Sequence, residues 1–512
     1  MNVTTLMRQA VRLNRDRPAV ITEDRSFSFA EAWERGVRVA NGLRALGVQP
    51  GDRVAGLEEN NLGCVDAVLG CAIAGAVRVP LYPRNSAQAH SHMIEGTGCK
   101  VVLADEALAG PVVGLDRKLD CLQHLQVRDA GYEDWLAAQD ATDPMVEIGD
   151  DDWTIIRHSG GTTGKPKGVG YTHHDWVLNC RNWAYLLDRM SRSSVVGHAG
   201  PISHASGYLF LPGWLAGAAN LVFGAFEPGK VLDMMRAHRV SHMFASPSLL
   251  AALARHPRAS EAAWPQLRSI LVGGAPITDA TALLGRKVFG DCLYQAFGQT
   301  EAVPLTGMGP DEWFGQIEGS TPLRAAGRVL PFAQVEIRDA EGNTLPIGAE
   351  GEIVAKVEGQ MRGYWGDAEL TKTRLVDGWV HTHDIGRIDA NGFLYVMDRA
   401  DDMIVSGGFN IWPAELETVL GDHPAVIEAA VFGIPHERWG ETPMAVVTVA
   451  DAGAVSAEEL IALCSEKLGS YKKPGAVRIT TEPLPKSVVG KLLRKQLREP
   501  YWEGHERRVS GA

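Results

Sequence analysis

Short apolar runs that alternate with helical stretches are the feature that most restricts the fold of this chain. Runs such as RVAGL, KVVLAD, NLVFG and SILVGG recur between Gly36 and Asn179 and again between Trp183 and Ala325. A strand that is apolar throughout is buried on both faces, as in a parallel sheet covered by its crossover helices. At 512 residues the chain also exceeds the usual size of one hydrophobic core. We therefore expect an α/β protein with two doubly wound sheets.

The pattern changes near Val329. The segments AQVEIRDAEGNTLPIGAEGEIVAKV and GWVHTHDIGRIDANGFLYVMDR alternate apolar and polar residues around DAEGN and DANG turns, which is typical of antiparallel strands. The segment that follows mixes helical and strand patterns. We therefore expect a large N-terminal domain over residues 1–398, in which a small β-barrel joins the two sheets. A hinge at 399–401 and a small α+β C-terminal domain over 402–512 would follow it.

Charge and cysteine usage exclude several classes of protein. A net charge of −12 argues against a general nucleic-acid binder, because little would neutralise a phosphate backbone. Seven scattered cysteines without a CxxC pair favour a reducing compartment over a disulfide framework or a structural zinc site. The start of the chain is typical of an amphipathic helix and not of a signal peptide. We expect a soluble, cytoplasmic protein.

One uncharged segment is long enough to cross a bilayer, and it requires a separate interpretation. It extends from Gly207 to Phe226, but Pro212-Gly213 interrupts it and Asn220 precedes the short β-rich run LVF. This order predicts a buried helix followed by a buried strand, and no transmembrane segment.

The segment RHSGGTTGKPKGVGY, from Arg157 to Tyr171, combines glycines, hydroxyl groups and lysines. It is not a P-loop, because three residues separate Gly160 from Gly164 where a P-loop has four, and a proline follows Lys165. Its backbone N–H groups, its hydroxyls and Lys167 could still wrap a polyphosphate. The alternative is a flexible Gly/Thr hairpin without a ligand.

This segment resembles the signature loop of the adenylate-forming superfamily, which includes acyl- and aryl-CoA ligases, adenylation domains of peptide synthetases and luciferases. The resemblance predicts further motifs in a fixed order, and the sequence contains them. They are YQAFGQTEA from Tyr294, DGWVHTHDIGRID from Asp377, DRADDMIVSGGFNIWPAELE from Asp398 and LPKSVVGKLLRKQLR from Leu484. The motifs span Arg157 to Arg498.

The resemblance implies a site for ATP and Mg²⁺. Phe297 would stack on adenine, Asp384 would accept the ribose hydroxyls, and Glu301 would bind magnesium. Thr300, Glu301 and Lys491 would be the catalytic residues, with Lys491 reaching the acyl carboxylate and the α-phosphate. The remaining ATP-binding residues implied by the motifs are Ser159, Gly160, Gly161, Thr162, Thr163, Gly164, Lys167, Gly274, Ala275, Pro276, Gln295, Ala296, Gly298 and Arg399.

The resemblance also implies a second half-reaction, in which the C-terminal domain rotates about Asp401 and a thiol attacks the acyl-adenylate. Ser406, Gly407 and Gly408 match the loop that lines the CoA tunnel. Lys472 and Lys473 could meet phosphates of CoA. His383 departs from the family pattern, which has glycine there, and both a surface role and a catalytic role stay open for it.

The acyl pocket of the family lies near the segments GPISHASGY, FASPS and VGGAP, which places His204, Tyr208, Phe244 and Gly273 in it by analogy. These segments contain no aspartate for an α-ammonium group, so the expected substrate is an acid with an uncharged tail. Aromatic and medium-chain aliphatic acids both fit, with a slight preference for aromatic acids.

The sequence thus predicts an ATP-dependent ligase that adenylates a carboxylic acid, releases pyrophosphate and transfers the acyl group to CoA. No covalent enzyme intermediate is required. An enzyme of the same fold that activates nitrite to diazotise an aryl amine is the main alternative. A non-catalytic nucleotide-binding homologue is a remote one, because Lys167, Glu301, Asp384 and Lys491 are all present. The expected partners are the small acid and CoA, and a homodimer stays open.

Overall fold

The structure, a computed structural model, describes residues 2–83, 85–159, 166–261, 263–399, 402, 404–406, 409–436, 439–469, 472–486 and 492–503. The α-helices in these ranges are α1 Val3–Asn14, α2 Phe29–Ala45, α3 Leu62–Ala74, α4 Ala87–Thr97, α5 Tyr132–Ala137, α6 His173–Leu186, α7 Phe210–Ala216, α8 Pro228–Ala237, α9 Pro247–Arg255, α10 Asp279–Phe289, α11 Pro310–Trp313, α12 Ala368–Arg374, α13 Pro413–Gly421, α14 Ala457–Leu468 and α15 Arg494–Trp502.

The β-strands are β1 Pro18–Ile21, β2 Ser26–Ser28, β3 Arg53–Leu57, β4 Val77–Pro80, β5 Cys99–Asp105, β6 His124–Arg128, β7 Trp153–Ser159, β8 Lys167–Thr172, β9 Val195–His198, β10 Ala219–Val222, β11 His242–Ala245, β12 Ser269–Val272, β13 Leu293–Gln299, β14 Ala302–Met308, β15 Arg328–Val329, β16 Ala333–Arg338, β17 Gly351–Val357, β18 Gly363–Tyr364, β19 Leu375–Val376, β20 Trp379–Ile388, β21 Leu394–Arg399, β22 Ile404–Ser406, β23 Phe409–Ile411, β24 Val426–His436, β25 Gly440–Val449 and β26 Ala476–Thr480.

Two large sheets carry the N-terminal part of the chain, as the alternating apolar runs predict. One has the strand order β18-β8-β7-β4-β3-β5-β6, and the other β15-β14-β13-β12-β11-β9-β10-β1-β2. The inner strands of both sheets pair in parallel, while β8 and β18 in one sheet and β14, β15 and β2 in the other add antiparallel edges. The expectation of doubly wound α/β sheets is confirmed.

The start of the chain contributes to the second sheet, which its position in the sequence does not suggest. Strand β1 pairs in parallel with β10, with Val20 opposite Asn220. Helix α1 is amphipathic, as predicted, and buries Val3, Met7 and Val11 against the core between the two sheets. The indole N–H of Trp214 in α7 donates to the carbonyl oxygen of Met7 at 3.2 Å. The first residues of the chain therefore contact both sheets, through the pairing of β1 with β10 and the packing of α1 in the core.

The uncharged segment after Gly207 forms the buried helix α7 and the buried strand β10, as predicted. Within the described ranges, no helix is both long and apolar enough to cross a membrane.

The segment after Val329 forms an antiparallel sheet with the order β16-β17-β20-β19, and β21 pairs with β20. The C-terminal segment forms its own sheet, β23-β22-β25-β24, with β26 added in parallel to β25. Helices α13 and α14 pack on this sheet through buried residues that include Leu416, Leu420 and Leu460. The side chains of Arg324 and Asp422 form an ion pair at 3.6 Å between the two parts of the chain.

Candidate active site

Strands β7 and β8 form a hairpin whose open end carries the glycine-rich segment. Ser159 pairs with Lys167 across the hairpin, so the two residues that flank this segment lie side by side. The Nζ atom of Lys167 lies 6.0 Å from the centre of the Tyr364 ring. Gly160, Gly161, Thr162, Thr163 and Gly164 were predicted to bind phosphate and lie outside the described residues.

Glu301 connects this hairpin to the second sheet. It occupies the turn between β13 and β14 and is 5% exposed. Its Oε1 atom accepts hydrogen bonds from the Ser159 hydroxyl at 3.1 Å and from the Tyr364 hydroxyl at 2.8 Å. Tyr171 fixes the same turn, because its hydroxyl donates to the carbonyl oxygen of Thr300. Since β7 and β13 both end here, the junction lies at the carboxyl ends of parallel strands, where α/β sheets bind ligands.

Asp384 lies close to the same turn and is 6% exposed. Its Oδ2 atom accepts a hydrogen bond at 2.7 Å from Nε2 of Gln299, the residue before Thr300, and Nε2 also contacts the carbonyl oxygen of Thr382 at 2.7 Å. The backbone N–H of Asp384 donates to the Thr382 hydroxyl at 3.0 Å. The carboxylate is thereby held at the end of β13. In β21, the backbone of Arg399 pairs opposite Asp384.

Strands β11, β12 and β13 lie side by side and in parallel, and their ends bring the next group of predicted residues together. A Cβ atom on Gly273 would lie 2.9 Å from the carbonyl oxygen of Ala296, so only glycine fits against β13 there. Gly274 follows with a positive φ of 83°, and a Cβ atom on it would contact Phe244 at 3.9 Å. Ala275 and Pro276 continue from this turn. Gln295, Phe297 and Gly298 are half-buried in β13, and the Oε1 atom of Gln295 has no partner.

Two of the predicted acyl pocket residues, His204 and Tyr208, lie in the segment between β9 and α7, while Phe244 and Gly273 lie at the ends of β11 and β12. Tyr208 is buried and packs against Trp176 and Trp183, with ring centres 5.6 and 5.3 Å away. His204 is half-buried, and its ring meets the ring of Tyr82 edge-on at 5.8 Å. The guanidinium of Arg157 lies over the Tyr208 ring at 4.2 Å. This side of the site is therefore built mainly from aromatic rings.

Two histidines near the site are buried: His198, which contacts Ser206, and His158 in β7, which projects from the face opposite to Arg157 and Ser159. The Nδ1 atom of His198 lies 2.9 Å from the Ser206 hydroxyl, and its Nε2 atom lies 2.9 Å from the side-chain oxygen of Asn220. Burial lowers the pKa of His198 to about 4 and that of His158 to about 3. Both imidazoles are therefore neutral near pH 7.

The backbone at His383 explains why the family pattern has glycine at this position. Its φ is 57°, in the left-handed region that favours glycine, which is the residue the family pattern has there. Its side chain is exposed, and its backbone N–H donates to Oε1 of Glu352 at 3.1 Å. The glycine of the family pattern thus matches a backbone requirement that this chain meets with histidine.

The structure says less about the residues predicted for the second half-reaction. Lys491, Asp401, Gly407 and Gly408 lie outside the described residues. Ser406 is half-buried at the end of β22. Lys472 was a candidate for CoA phosphates, and its Nζ atom forms an ion pair with Oε2 of Glu415 at 2.7 Å.

Sequence reasoning assigned no role to Gln299, Tyr364 and Arg157, which the structure places beside the predicted residues. Gln299 stands inside a recognised motif. Tyr364 gave no signal, because β18 reaches β8 only through a long-range antiparallel pairing. Arg157 did give a sequence signal, because it is a charged residue that interrupts the apolar strand WTIIRHS.

The chain is similar to known enzymes over almost its whole length. Residues 7–365 match the family model for AMP-binding enzymes, and residues 415–491 match the model for the C-terminal domain of AMP-binding enzymes. A feruloyl-CoA synthase from an Amycolatopsis species is 36% identical over 480 residues, which cover 93% of this chain and 94% of the relative. A long-chain-fatty-acid–CoA ligase of Mycobacterium tuberculosis is 32% identical over 515 residues, 98% of each chain.

A solved structure agrees with these relatives. The o-succinylbenzoate CoA synthetase of Bacillus subtilis, in complex with its acyl-adenylate intermediate, superposes with a TM-score of 0.85 at 28% identity and covers 99% of each chain. The chain therefore belongs to the AMP-binding enzymes, the adenylate-forming superfamily whose motifs its sequence contains.

Proposed function

We propose that the protein is an ATP-dependent acid–thiol ligase that adenylates a carboxylic acid, releases pyrophosphate and transfers the acyl group to CoA. The observation that carries this proposal is the junction at Glu301, which receives hydrogen bonds from Ser159 of the phosphate segment and from Tyr364. The relatives named feruloyl-CoA synthase and fatty-acid–CoA ligase favour CoA over the nitrite alternative.

In this proposal the carboxyl ends of β7 and β13 hold the nucleotide. Ser159, the glycines and threonines that follow it, and Lys167 bind the β- and γ-phosphates. Phe297 stacks on adenine beside the wall formed by Gly274, Ala275 and Pro276. Asp384 binds the ribose hydroxyls, and its orientation by Gln299 supports that role because a fixed carboxylate loses less entropy on binding. Arg399 lies beside Asp384 in register and completes the nucleotide site.

A carboxylate is a poor acyl donor, because a thiol that attacked it directly would have to expel oxide, so the acid is first activated by ATP. One carboxylate oxygen attacks the α-phosphorus of ATP, the bond from this phosphorus to the bridging oxygen of pyrophosphate breaks, and pyrophosphate leaves. Lys491 and the cations of the phosphate segment stabilise the charge that develops on phosphorus. A thiol then attacks the acyl carbon, AMP departs with the electron pair of the anhydride bond, and the thiol proton goes to solvent.

The residues at the junction fit a magnesium ion. Mg²⁺ is commonly bound by one or two carboxylates together with substrate phosphates and waters, and Glu301 supplies one buried carboxylate next to the phosphate segment. The described residues contain no cluster of three or more metal-ligating side chains, which agrees with an ion held mainly by the nucleotide. When bound, the ion would neutralise charge on the phosphates.

The proposed domain organisation can be tested through the two half-reactions. Lys491→Ala should reduce adenylation by on the order of a hundredfold or more, because an electrostatic contact to the transition state is lost. Asp401→Pro should restrict the proposed hinge at 399–401 and slow thioester formation, while adenylation stays near normal. Pyrophosphate release reports the first step, and thiol consumption with synthetic acyl-AMP reports the second.

Lys495→Ala is the matched control, since Lys495 is an exposed lysine of the same region that pairs with Glu499. It should leave both steps unchanged. If Lys491→Ala and Asp401→Pro lose the same step to the same extent, the two-conformation mechanism is wrong for this protein.

The class of acid, the location and the oligomeric state also remain proposals. The aromatic packing around Tyr208 supports an aromatic or a medium-chain aliphatic acid. A cytoplasmic location agrees with the seven free cysteines, most of which are buried. A homodimer can be tested by sedimentation equilibrium.

A further inference from the structure

Arg157 is a buried cation that lacks a charged partner. It is 2% exposed and forms no ion pair with any carboxylate of the described residues. Its Nη2 atom has one long contact, 3.5 Å to the carbonyl oxygen of Ser203, and its Nη1 atom has no hydrogen-bond partner. A buried guanidinium without an acceptor is unfavourable, so such groups are normally paired. The position therefore requires an explanation beyond packing.

The side chain points toward the acyl side of the site. Arg157 and Ser159 are two residues apart in the extended strand β7 and project from the same face of the sheet. The guanidinium lies over Tyr208 at 4.2 Å and is 5.7 Å from the ring of Trp176. An acid whose carboxylate lies beside the Glu301 junction would extend its tail along the segment that carries His204 and Tyr208. The guanidinium of Arg157, which lies over the Tyr208 ring, borders that path.

A small cavity continues from the same point. Its volume is about 60 Å³, and its lining includes Arg157, Trp176, Ile202 and Gly207, which border the predicted acyl pocket. Arg78 also lines it, is buried, and has an Nε atom without a partner, although its Nη2 atom pairs with Glu58. This volume corresponds to roughly two water molecules, enough for a small polar group. The cavity therefore combines apolar walls with two buried, unsatisfied N–H donors.

We propose that Arg157 is a specificity-determining residue of the acyl pocket, and that the acid carries a carboxylate or carbonyl oxygen at the end remote from its reacting carboxylate. Nη1 of Arg157 binds this oxygen, and Arg78 is the second donor at the cavity. The proposal rests on the proposed function, because it places the reacting carboxylate at the Glu301 junction. A distal carbonyl group agrees with the expectation of an uncharged tail, whereas a distal carboxylate departs from it.

The first test compares pairs of acids of equal shape on the wild-type enzyme. A 4-acetyl aryl acid and a 4-isopropyl aryl acid differ mainly in the distal oxygen, and a medium-chain methyl-ketone acid and its methyl-branched isostere form the aliphatic pair. Acid-dependent pyrophosphate release should give a kcat/KM at least tenfold higher for the oxygen-bearing member of the accepted pair. A site built to bind a polar group rejects the analogue that lacks it, because its donors are left unpaired.

The second test uses Arg157→Met, which keeps most of the side-chain volume and removes the donors. It should lower kcat/KM for the oxygen-bearing acid by on the order of tenfold to a hundredfold while the apolar isostere reacts as well as before or better. Arg157→Lys should retain part of the preference, and the KM for ATP should not change in either variant. Arg181→Met is the matched control, since Arg181 is an exposed arginine that pairs with Glu358.

The outcomes separate this inference from the proposed function. Equal rates for both members of every pair on the wild-type enzyme would overturn the role of Arg157, and this result needs no variant to fold. An equal loss on both acids in Arg157→Met would also overturn it, and would assign Arg157 to packing against Tyr208. If no carboxylic acid causes pyrophosphate release, the proposed function itself fails, and the inference fails with it.

Discussion

The nucleotide side and the acyl side of the site differ in how their polar groups are satisfied. On the nucleotide side, Ser159 and Tyr364 donate to Glu301, and Gln299 donates to Asp384. On the acyl side, aromatic rings surround Tyr208, and Arg157 keeps an unpaired donor. The two carboxylates of the first arrangement are hydrogen-bonded by neighbouring side chains before any ligand binds, which suits a step that is the same for every acid. The second leaves a requirement that only a particular acid can meet.

The largest expected effect is on the nucleotide side. Glu301→Gln should reduce pyrophosphate release by on the order of a hundredfold or more, because it removes the carboxylate proposed to hold magnesium. The loss should be the same factor for an aryl acid and for an aliphatic acid. Glu358→Gln is the control, since Glu358 is an exposed carboxylate paired with Arg181, and it should leave the rate unchanged. If the factor by which pyrophosphate release falls differed between the aryl and the aliphatic acid, the separation of the site into a nucleotide side and an acyl side would be contradicted.

The next effect concerns the free energy of unfolding of the protein at acidic pH, to which the buried His198 on the acyl side contributes. The pKa of His198 is lowered to about 4 in the folded protein, so the unfolded chain, with a histidine pKa near 6.5, takes up the proton first. Stability should therefore fall as the pH drops from about 6.5 to about 4, by roughly 1.4 kcal/mol per pH unit from this residue. Its ring meets only Ser206, Asn220 and Phe210 in the contacts described.

The measurement is the free energy of unfolding between pH 7 and pH 5 for the wild type and His198→Gln. The variant should lose stability less steeply as the pH falls. Parallel curves for the two proteins would show that His198 is already protonated, or exposed, in the folded state.

Phe297→Ala should have a smaller effect, confined to the nucleotide. The stacking face is lost in the ground state and in the transition state alike, so the KM for ATP should rise by roughly tenfold. Initial rates at varied ATP and at varied acid separate the two substrates. An unchanged ATP saturation curve would remove Phe297 from the adenine site.

An effect of similar size, confined to the choice of acid, is expected for His204→Ala, which enlarges the acyl pocket beside Tyr82. The preference among acids of different width should shift by roughly tenfold, the scale of a change in pocket size, while the KM for ATP stays the same. The ratio of kcat/KM values for a bulky and a slender acid is the measurement. An unaltered ratio would place His204 outside the pocket.

The sequence predicted the sheets well and the contacts between distant segments poorly. The apolar runs and the turn residues are local signals, so the two α/β sheets and the antiparallel sheet after Val329 were expected and are confirmed. The pairing of β1 with β10 and the arrival of Tyr364 beside Glu301 depend on tertiary packing, which no local pattern contains.

The same limit applies to the site. The motifs named Glu301 and Asp384 because a family resemblance carries its residue positions with it. Arg157 opens the glycine-rich segment, but the family motif assigns it no role, and its one sequence signal is a charge inside the apolar strand WTIIRHS. The packing against Tyr208 and the missing partner of Nη1 become visible only in the structure.

The most direct test of the account is ATP–pyrophosphate exchange without CoA, measured across aryl acids, fatty acids, amino acids and nitrite. We expect exchange with one class of aryl or medium-chain acids and none with amino acids or nitrite. The KM for ATP should be nearly the same for every acid that reacts, because the nucleotide side does not depend on the acid. Exchange with nitrite and with no carboxylic acid would contradict the central claim that this site adenylates a carboxylic acid.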